Sequence, residues 1–182
     1  AHALETYVTT KRTAVSMDYS RRAWELLSVN FIKVIDDPSD LEARSAMQLG
    51  ACLAGLAIEN SMLGAAHAMA NPLTAHFNIV HGQAIASMLP HVIRFNAQSI
   101  ESQYCQLATT TNAVSGDDSE ALAIFMTEIT QHSGLATRLE PQGINADQLT
   151  MLATEAAKQW TAQFNPRTVE VEDLLTLYQQ AF

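Results

Sequence analysis

The stretch Met62–Asn96, MLGAAHAMANPLTAHFNIVHGQAIASMLPHVIRFN, decides the fold and carries most of the reactive side chains of this chain. It holds four of the six histidines of the sequence, which are His67, His76, His81 and His91. Apolar residues recur at helical spacing on both sides of Asn71-Pro72, so we predict a helix, a break and a second helix that begins at His81. Such an element folds back, so His67 and His81 can face one cavity. Because neutral imidazole is the commonest side-chain ligand of transition metals, the pair predicts part of a metal site.

The composition predicts one all-α domain over residues 1–182, with about eight or nine helices. The length suffices for a real hydrophobic core. Seven Gly and five Pro are few for a β-rich fold with many tight turns. The net charge of −9, from 10 Lys and Arg against 19 Asp and Glu, argues against a nucleic-acid partner. No apolar run is long enough to predict a membrane-spanning helix.

The two cysteines bear on the compartment. Cys52 and Cys105 lie far apart within helical patterns, and we expect both to be buried free thiols. Free thiols are typical of a reducing compartment, which predicts a cytoplasmic location.

Several helix boundaries follow from capping and proline signals. Ser39 with Glu42 three residues later matches a capping box, so a helix is predicted over 40–61. That helix is apolar on nearly all faces, which predicts a central position in the fold. Pro90 should kink the helix in which it lies. The segment 146–162 is predicted to be one helix.

His2 is the third candidate ligand. It lies at the start of a predicted helix, and the sequence shows no N-cap residue before it. Two ligands on one helix are commonly four residues apart, so a partner of His2 would precede Ala1, and we expect the chain to be a fragment. Three imidazoles are compatible with zinc, nickel or iron. The alternative for every histidine is a structural role in a helical scaffold or binding module. His91 is expected to serve in packing, and His132 to lie in the last turn of a helix.

A series of spaced motifs resembles the C-terminal, dehydroquinate synthase-like helical domain of the iron-containing (group III) alcohol dehydrogenases. The resemblance covers nearly the whole chain, in the same order. The matching residues are His2–Tyr7 (HALETY), Ala54–Asn60 (AGLAIEN), Leu63-Gly64, His67, Pro72-Leu73, His81-Gly82, Leu89–Val92 (LPHV), Phe95-Asn96, Asn165–Arg167 (NPR) and Glu172–Leu174 (EDL).

The resemblance implies the metal-binding half of an enzyme that oxidises an alcohol, or reduces an aldehyde or ketone, with NAD or NADP. The nucleotide would be bound mainly by an N-terminal domain that lies outside this chain. The metal, Fe²⁺ or Zn²⁺, would act as a Lewis acid held by His2, His67, His81 and an Asp four residues before His2. The family also implies a homodimer or larger assembly. By itself the chain is expected to bind metal weakly and to be inactive.

Two departures from the family pattern concern the substrate and the proton path. Many members have a histidine where this chain has Asn71, near the nicotinamide, and an amide cannot exchange a proton near neutral pH. His76 occupies a position that is often apolar and is a candidate for the pocket and for an alternative proton relay. Ile58 is expected to line the substrate pocket. A zinc polyol dehydrogenase, a maleylacetate reductase-like enzyme and a non-catalytic helical module remain alternatives.

Overall fold

The computed structural model describes all residues 1–182 and contains eight α-helices and no β-strand, which confirms the predicted all-α class. None of the helices combines the length and apolarity that crossing a membrane requires. The helices are α1 (His2–Val8), α2 (Ala14–Asp36), α3 (Leu41–Glu59), α4 (Ala65–Phe77), α5 (His81–Thr110), α6 (Ser119–His132), α7 (Leu149–Ala156) and α8 (Val171–Ala181). Short 3₁₀ turns occupy Glu140–Gln142, Ala146–Gln148 and Trp160–Phe164.

The centre of the fold is formed by α4 and the first half of α5. Met69 and Leu73 of α4 and Met88 and Ile93 of α5 are completely buried. The short helix α1 packs into the same core, with every residue from Ala3 to Val8 buried. Because a helix this short is not stable alone, tertiary packing holds α1 and fixes its first residue at the edge of the core.

The helix α3 is not central, and this prediction is wrong. Its buried residues are all small and include Gly50, Ala54 and Ala57, while Leu49 and Leu56 are 50% and 41% exposed. At Gly50 an added Cβ would lie 2.8 Å from Leu27 Cγ, so the small side of α3 lies closely against α2. The size of the side chains, rather than their hydrophobicity, therefore selects which face packs inward.

The cap of α3 also differs from the prediction. Asp40 is the N-cap and accepts a hydrogen bond from the Ala43 amide at 2.9 Å. The Ser39 hydroxyl instead donates to Asp37 Oδ1 at 2.6 Å. Both Ser and Asp are good N-caps, but the Ser39 side chain is already hydrogen-bonded to Asp37, so Asp40 caps the helix.

The cysteines are free but are not buried as predicted. Cys52 is exposed on the outer face of α3, and Cys105 is half-buried. The error at Cys52 has the same origin as the error in the placement of α3.

The predicted break at Asn71-Pro72 is wrong as well. Pro72 lies inside α4, buried, and the helix continues to Phe77. The chain leaves the helix at Asn78, whose φ of 52° is left-handed, a conformation that asparagine tolerates better than most residues. The proline removes one helical hydrogen bond, and burial against the core compensates for it. The reversal before His81 is therefore made by Asn78 rather than by the proline.

The structure differs from two further predictions, the kink at Pro90 and the single helix over 146–162. Pro90 keeps helical dihedral angles, and the residue of α5 that departs from them is Ile100 (φ −141°, ψ 30°). The single helix predicted over 146–162 is divided into a 3₁₀ turn, α7 and a second 3₁₀ turn.

Candidate metal centre

The structure brings the three histidines predicted as ligands into one cluster. His2 is the first residue of α1, His67 lies in the first turn of α4, and His81 is the first residue of α5. The ring centroids of His2 and His67 are 4.9 Å apart, and those of His67 and His81 are 5.5 Å apart. No three His, Cys, Asp or Glu side chains are arranged as a complete metal site. The three rings therefore adjoin one another but would have to turn toward a common point to share an ion.

The central member of the cluster, His67, has one ring nitrogen occupied and one free. Its Nδ1 is hydrogen-bonded to Glu5 Oε2, and both side chains are about 5% exposed. Its Nε2 is buried and has no hydrogen-bond partner. A buried polar atom without a partner requires an explanation, because nearly all such atoms in folded proteins are satisfied. With the proton on Nδ1 facing the carboxylate, Nε2 presents a lone pair to the cluster.

The Glu5 carboxylate lies one helical turn from His2 and is almost completely buried. Its Oε1 accepts a hydrogen bond from the Ala66 amide at 2.8 Å. Burial raises the pKa of Glu5, but the hydrogen bond and charge of His67 and the amides of Ala66 and Gly64 outweigh it, and the net pKa is lowered. The side chain is therefore a carboxylate at neutral pH.

The other two rings are neutral at pH 7. Burial, followed by the charge of His67, lowers the pKa of His2 to about 4. The same two causes lower the pKa of His81. His81 Nδ1 lies 3.5 Å from Thr74 Oγ1, which is at the outer limit of a hydrogen bond. Since only neutral imidazole ligates a metal, both rings are in the protonation state that ligation needs.

An apolar cavity of about 410 Å³ lies beside two of the three rings. Its polar lining comes from His2, His81, Thr130 and Ser133. The rest of its lining is mainly apolar side chains of α2, α5 and α6, among them Phe31, Ile85 and Met126. Its volume and lining suit a small organic molecule with one polar end at the imidazoles.

The start of α4 is held by side chains from distant parts of the chain. Gly64, its N-cap residue, has no side-chain cap. The Ala65 amide donates to Asn165 Oδ1 at 3.2 Å, and Asn165 is paired with Asn96 through two hydrogen bonds of 3.1 and 2.7 Å. A Cβ at Gly64 would lie 3.0 Å from Asn165 Oδ1 and 3.2 Å from Glu5 Oε1, so this position is closely packed.

The remaining predicted site residues lie apart from this cavity. Asn71 Nδ2 donates to Gln159 Oε1 at 2.9 Å. His76 Nε2 is paired with Glu155 Oε2 at 2.6 Å on the surface. Ile58 is half-buried near the end of α3 and is not among the residues that line the cavity.

Sequence reasoning missed Glu5 and the apolar lining of the cavity. The signal for Glu5 was present, since it follows His2 by three residues and so lies on the same face of α1. The lining could not be found in this way, because Phe31 and Met126 are ordinary members of apolar helical stripes.

The whole chain, residues 1–182, matches the model of the "Fe-containing alcohol dehydrogenase family, C-terminal". The chain belongs to the iron-containing alcohol dehydrogenase family. This confirms the resemblance that the spaced motifs indicated.

Relatives within this family agree with the assignment. The chain is 28% identical over 186 residues to 1,3-propanediol dehydrogenase of Klebsiella pneumoniae, covering 100% of this chain and 48% of that protein. It is 30% identical over 195 residues to lactaldehyde reductase of Escherichia coli strain K12, again covering 100% of this chain and 48% of the relative. The chain thus spans about half the length of the curated relatives it matches.

Solved structures of iron-containing alcohol dehydrogenases and their relatives show the same fold. A 1,3-propanediol oxidoreductase superposes with a TM-score of 0.92 at 28% identity, covering 100% of this chain and 49% of that one. An alcohol dehydrogenase from Oenococcus oeni superposes with a TM-score of 0.91 at 26% identity, with the same coverage.

Proposed function

We propose that this chain is the metal-binding helical half of an NAD(P)-dependent alcohol dehydrogenase, which interconverts a small alcohol and the corresponding aldehyde or ketone. Membership of the iron-containing alcohol dehydrogenase family supports the reaction class. The names of the relatives describe alcohol and aldehyde oxidoreductases, including an NADPH-dependent butanol dehydrogenase of Clostridium saccharobutylicum and an NAD-dependent methanol dehydrogenase of Bacillus methanolicus. These names support both nucleotides for the family without choosing between them.

The observation that carries the metal-binding role is the buried, unpartnered Nε2 of His67 beside the rings of His2 and His81. Three imidazoles fit Fe²⁺ or Zn²⁺, and the family pattern implies an Asp four residues before His2 as the fourth ligand. When bound, such an ion polarises the alcohol oxygen and lowers its pKa. The residues of this chain would hold the ion at the edge of the cavity.

The apolar cavity supports the choice of a small substrate. Its imidazole side would receive the hydroxyl or carbonyl end, and the apolar lining from Phe31, Ile85 and Met126 would hold the alkyl part and exclude water. Hydride would pass to a nicotinamide presented by an N-terminal nucleotide-binding domain, with which this helical domain forms the complete enzyme as a dimer or larger assembly.

From the family pattern we propose that Asn71 adjoins the nicotinamide and that Ile58 and His76 adjoin the substrate, although none of the three lines the apolar cavity. Asn71 can donate or accept a hydrogen bond there but cannot exchange a proton. His76, already paired with Glu155, can exchange one, and it is the candidate relay of this chain.

The experiment uses the full-length protein, stripped with a chelator and then reloaded with Fe²⁺ or Zn²⁺. Oxidation of a panel of short alcohols and diols is followed through NADH or NADPH absorbance, together with reduction of the matching aldehydes. We expect turnover to disappear with the metal and to return on reloading. His81→Ala should remove both metal and turnover, whereas His132→Ala, a surface histidine outside the cluster, should retain both. Turnover that persists in the stripped enzyme, or wild-type metal content in His81→Ala, would overturn the proposal.

A further inference from the structure

We propose that Glu5 is the positioning residue of His67, and that its carboxylate fixes the tautomer in which Nε2 of His67 is an acceptor. Its two oxygens hold the ring and the start of α4 at the same time. The identity of the group that Nε2 binds rests on the metal-binding function proposed above. The positioning itself follows from contacts within this chain.

The two carboxylate oxygens of Glu5 have separate partners. Oε2 is hydrogen-bonded to Nδ1 of His67, and Oε1 accepts from the amide of Ala66 at 2.8 Å. Because Ala66 directly precedes His67, one carboxylate restrains both the backbone that carries the ring and the ring itself. The Ala65 amide is held in turn by Asn165, so distant side chains satisfy the first amides of α4 in place of a local cap.

In the proposed tautomer both partners are donors, and a carboxylate is therefore required here. An ionised Glu offers acceptors only, whereas the isosteric Gln offers one acceptor and one donor. In Glu5→Gln, an oxygen turned to Ala66 leaves the NH₂ group facing Nδ1, which then must be the acceptor, so that the ring proton moves to Nε2. An oxygen turned to His67 leaves the NH₂ group facing the Ala66 amide, donor against donor. Either arrangement weakens Nε2 as a ligand or frees the ring.

The chain contains a matched control for this substitution. His132 Nε2 is paired with Asp36 Oδ1 at 2.6 Å, with side chains 41% and 59% exposed. Water can replace either partner of this pair, and neither residue is hydrogen-bonded to a histidine of the cluster. Asp36→Asn therefore makes the same carboxylate-to-amide change without the consequences expected at Glu5.

The test uses the metal-free full-length protein with ¹⁵N-labelled histidine rings and has two readouts. Long-range ¹H–¹⁵N correlation spectra, with His67 assigned from a His67→Gln spectrum, report which ring nitrogen carries the proton. Competition with a fluorescent chelator reports the affinity for Zn²⁺. We expect wild-type His67 to be protonated at Nδ1. In Glu5→Gln the proton should move to Nε2 or divide between the two nitrogens, with Zn²⁺ affinity about 10- to 100-fold lower. Asp36→Asn should match the wild type in both.

The outcomes separate the positioning role from the metal-binding function. A wild-type His67 that carries its proton on Nε2 overturns the role of Glu5, even if Glu5→Gln fails to fold. A Glu5→Gln protein with the wild-type tautomer and Zn²⁺ affinity overturns it too. A wild type that binds no Zn²⁺, but whose His67 tautomer shifts in Glu5→Gln, supports the positioning role and overturns the proposed function instead.

Discussion

Two histidine–glutamate pairs link α4 to other helices. They have the same chemical groups but differ in burial and in the further partners of those groups. The pair of His76 and Glu155 joins α4 to α7 at 2.6 Å, with both side chains 39% exposed. The pair of His67 and Glu5 joins α4 to α1 and is buried. In the buried pair the carboxylate has a second partner, the Ala66 amide, and the ring has a nitrogen left over. The close contact alone is therefore uninformative, and burial together with an unused ring nitrogen marks the candidate site.

The largest expected difference between the two pairs is in metal affinity. In the full-length protein, His67→Ala should lower Zn²⁺ affinity by at least about 100-fold, since loss of a ligand should exceed the loss of its supporting partner. His76→Ala should leave Zn²⁺ affinity within about twofold of the wild type, because the His76 ring is paired with Glu155 away from the cluster. Chelator competition measures both variants.

His76→Ala also sharpens the functional comparison. If His76 relays a proton, turnover should fall while metal content stays constant. Equal losses of Zn²⁺ affinity in the two alanine variants would remove the distinction between the pairs.

The next largest effect concerns the packing over the buried pair. Gly64→Ala places a methyl group against Asn165 Oδ1 and Glu5 Oε1, and it should lower the free energy of unfolding by about 1–2 kcal/mol. At Gly55, within α3, nothing lies within 4 Å of the added Cβ. Gly55→Ala should therefore raise stability by about 0.5–1 kcal/mol. Urea titrations compare the two, and a Gly64→Ala protein as stable as Gly55→Ala would contradict the described packing.

A third imidazole, His91, shows the effect of burial on the pKa of a histidine that is not hydrogen-bonded to a carboxylate. Burial, followed by the charge of Arg94, lowers the pKa of His91 to about 4. His91 lines a second cavity, distinct from the one beside His2 and His81, together with Arg94, Arg167 and Asp173. Its folded pKa lies below the unfolded value of about 6.5, so the unfolded chain binds the extra proton between the two values and stability falls as the pH is lowered.

His91→Gln should remove this contribution. Relative to the wild type, the variant should lose about 1 kcal/mol less of its free energy of unfolding between pH 7 and pH 5, after allowance for partial exposure. Urea titrations at several pH values give the difference. A wild type and a variant with the same pH dependence would show that His91 is solvated like the exposed histidines.

The smallest expected effect is at the exposed pair itself. Glu155→Gln should change the free energy of unfolding by less than about 0.5 kcal/mol, because exposed ion pairs gain little over solvation. Thermal and urea unfolding would both detect a larger change. A loss above 1 kcal/mol would place the surface pair among the structural contacts of the fold.

The helical class and the proximity of His67 and His81 could be predicted, because helical periodicity and a chain reversal are both local properties of the sequence. The reversal was placed at Asn71-Pro72 instead of Asn78, since a buried proline is tolerated where the core surrounds it. The orientation of α3 could not be predicted, because hydrophobic periodicity identifies an apolar helix but does not show which face has side chains small enough to pack closely against a neighbouring helix.

The position of Glu5 on the same face of α1 as His2 could be read from the sequence, but the contacts that support the cluster could not, for another reason. Glu5 lies 62 residues from His67, and Asn165 lies 100 residues from Ala65, so these partners meet only through the tertiary fold. The Glu–His pairs of the chain look equivalent in the sequence, and only burial separates them.

The most direct test of the metal-binding role is anomalous diffraction from crystals of the full-length protein grown with Zn²⁺. We expect a peak about 2.0–2.1 Å from Nε2 of His67 and at similar distances from ring nitrogens of His2 and His81. A peak at His76 and Glu155 or at His132 and Asp36, with the cluster empty, would contradict it.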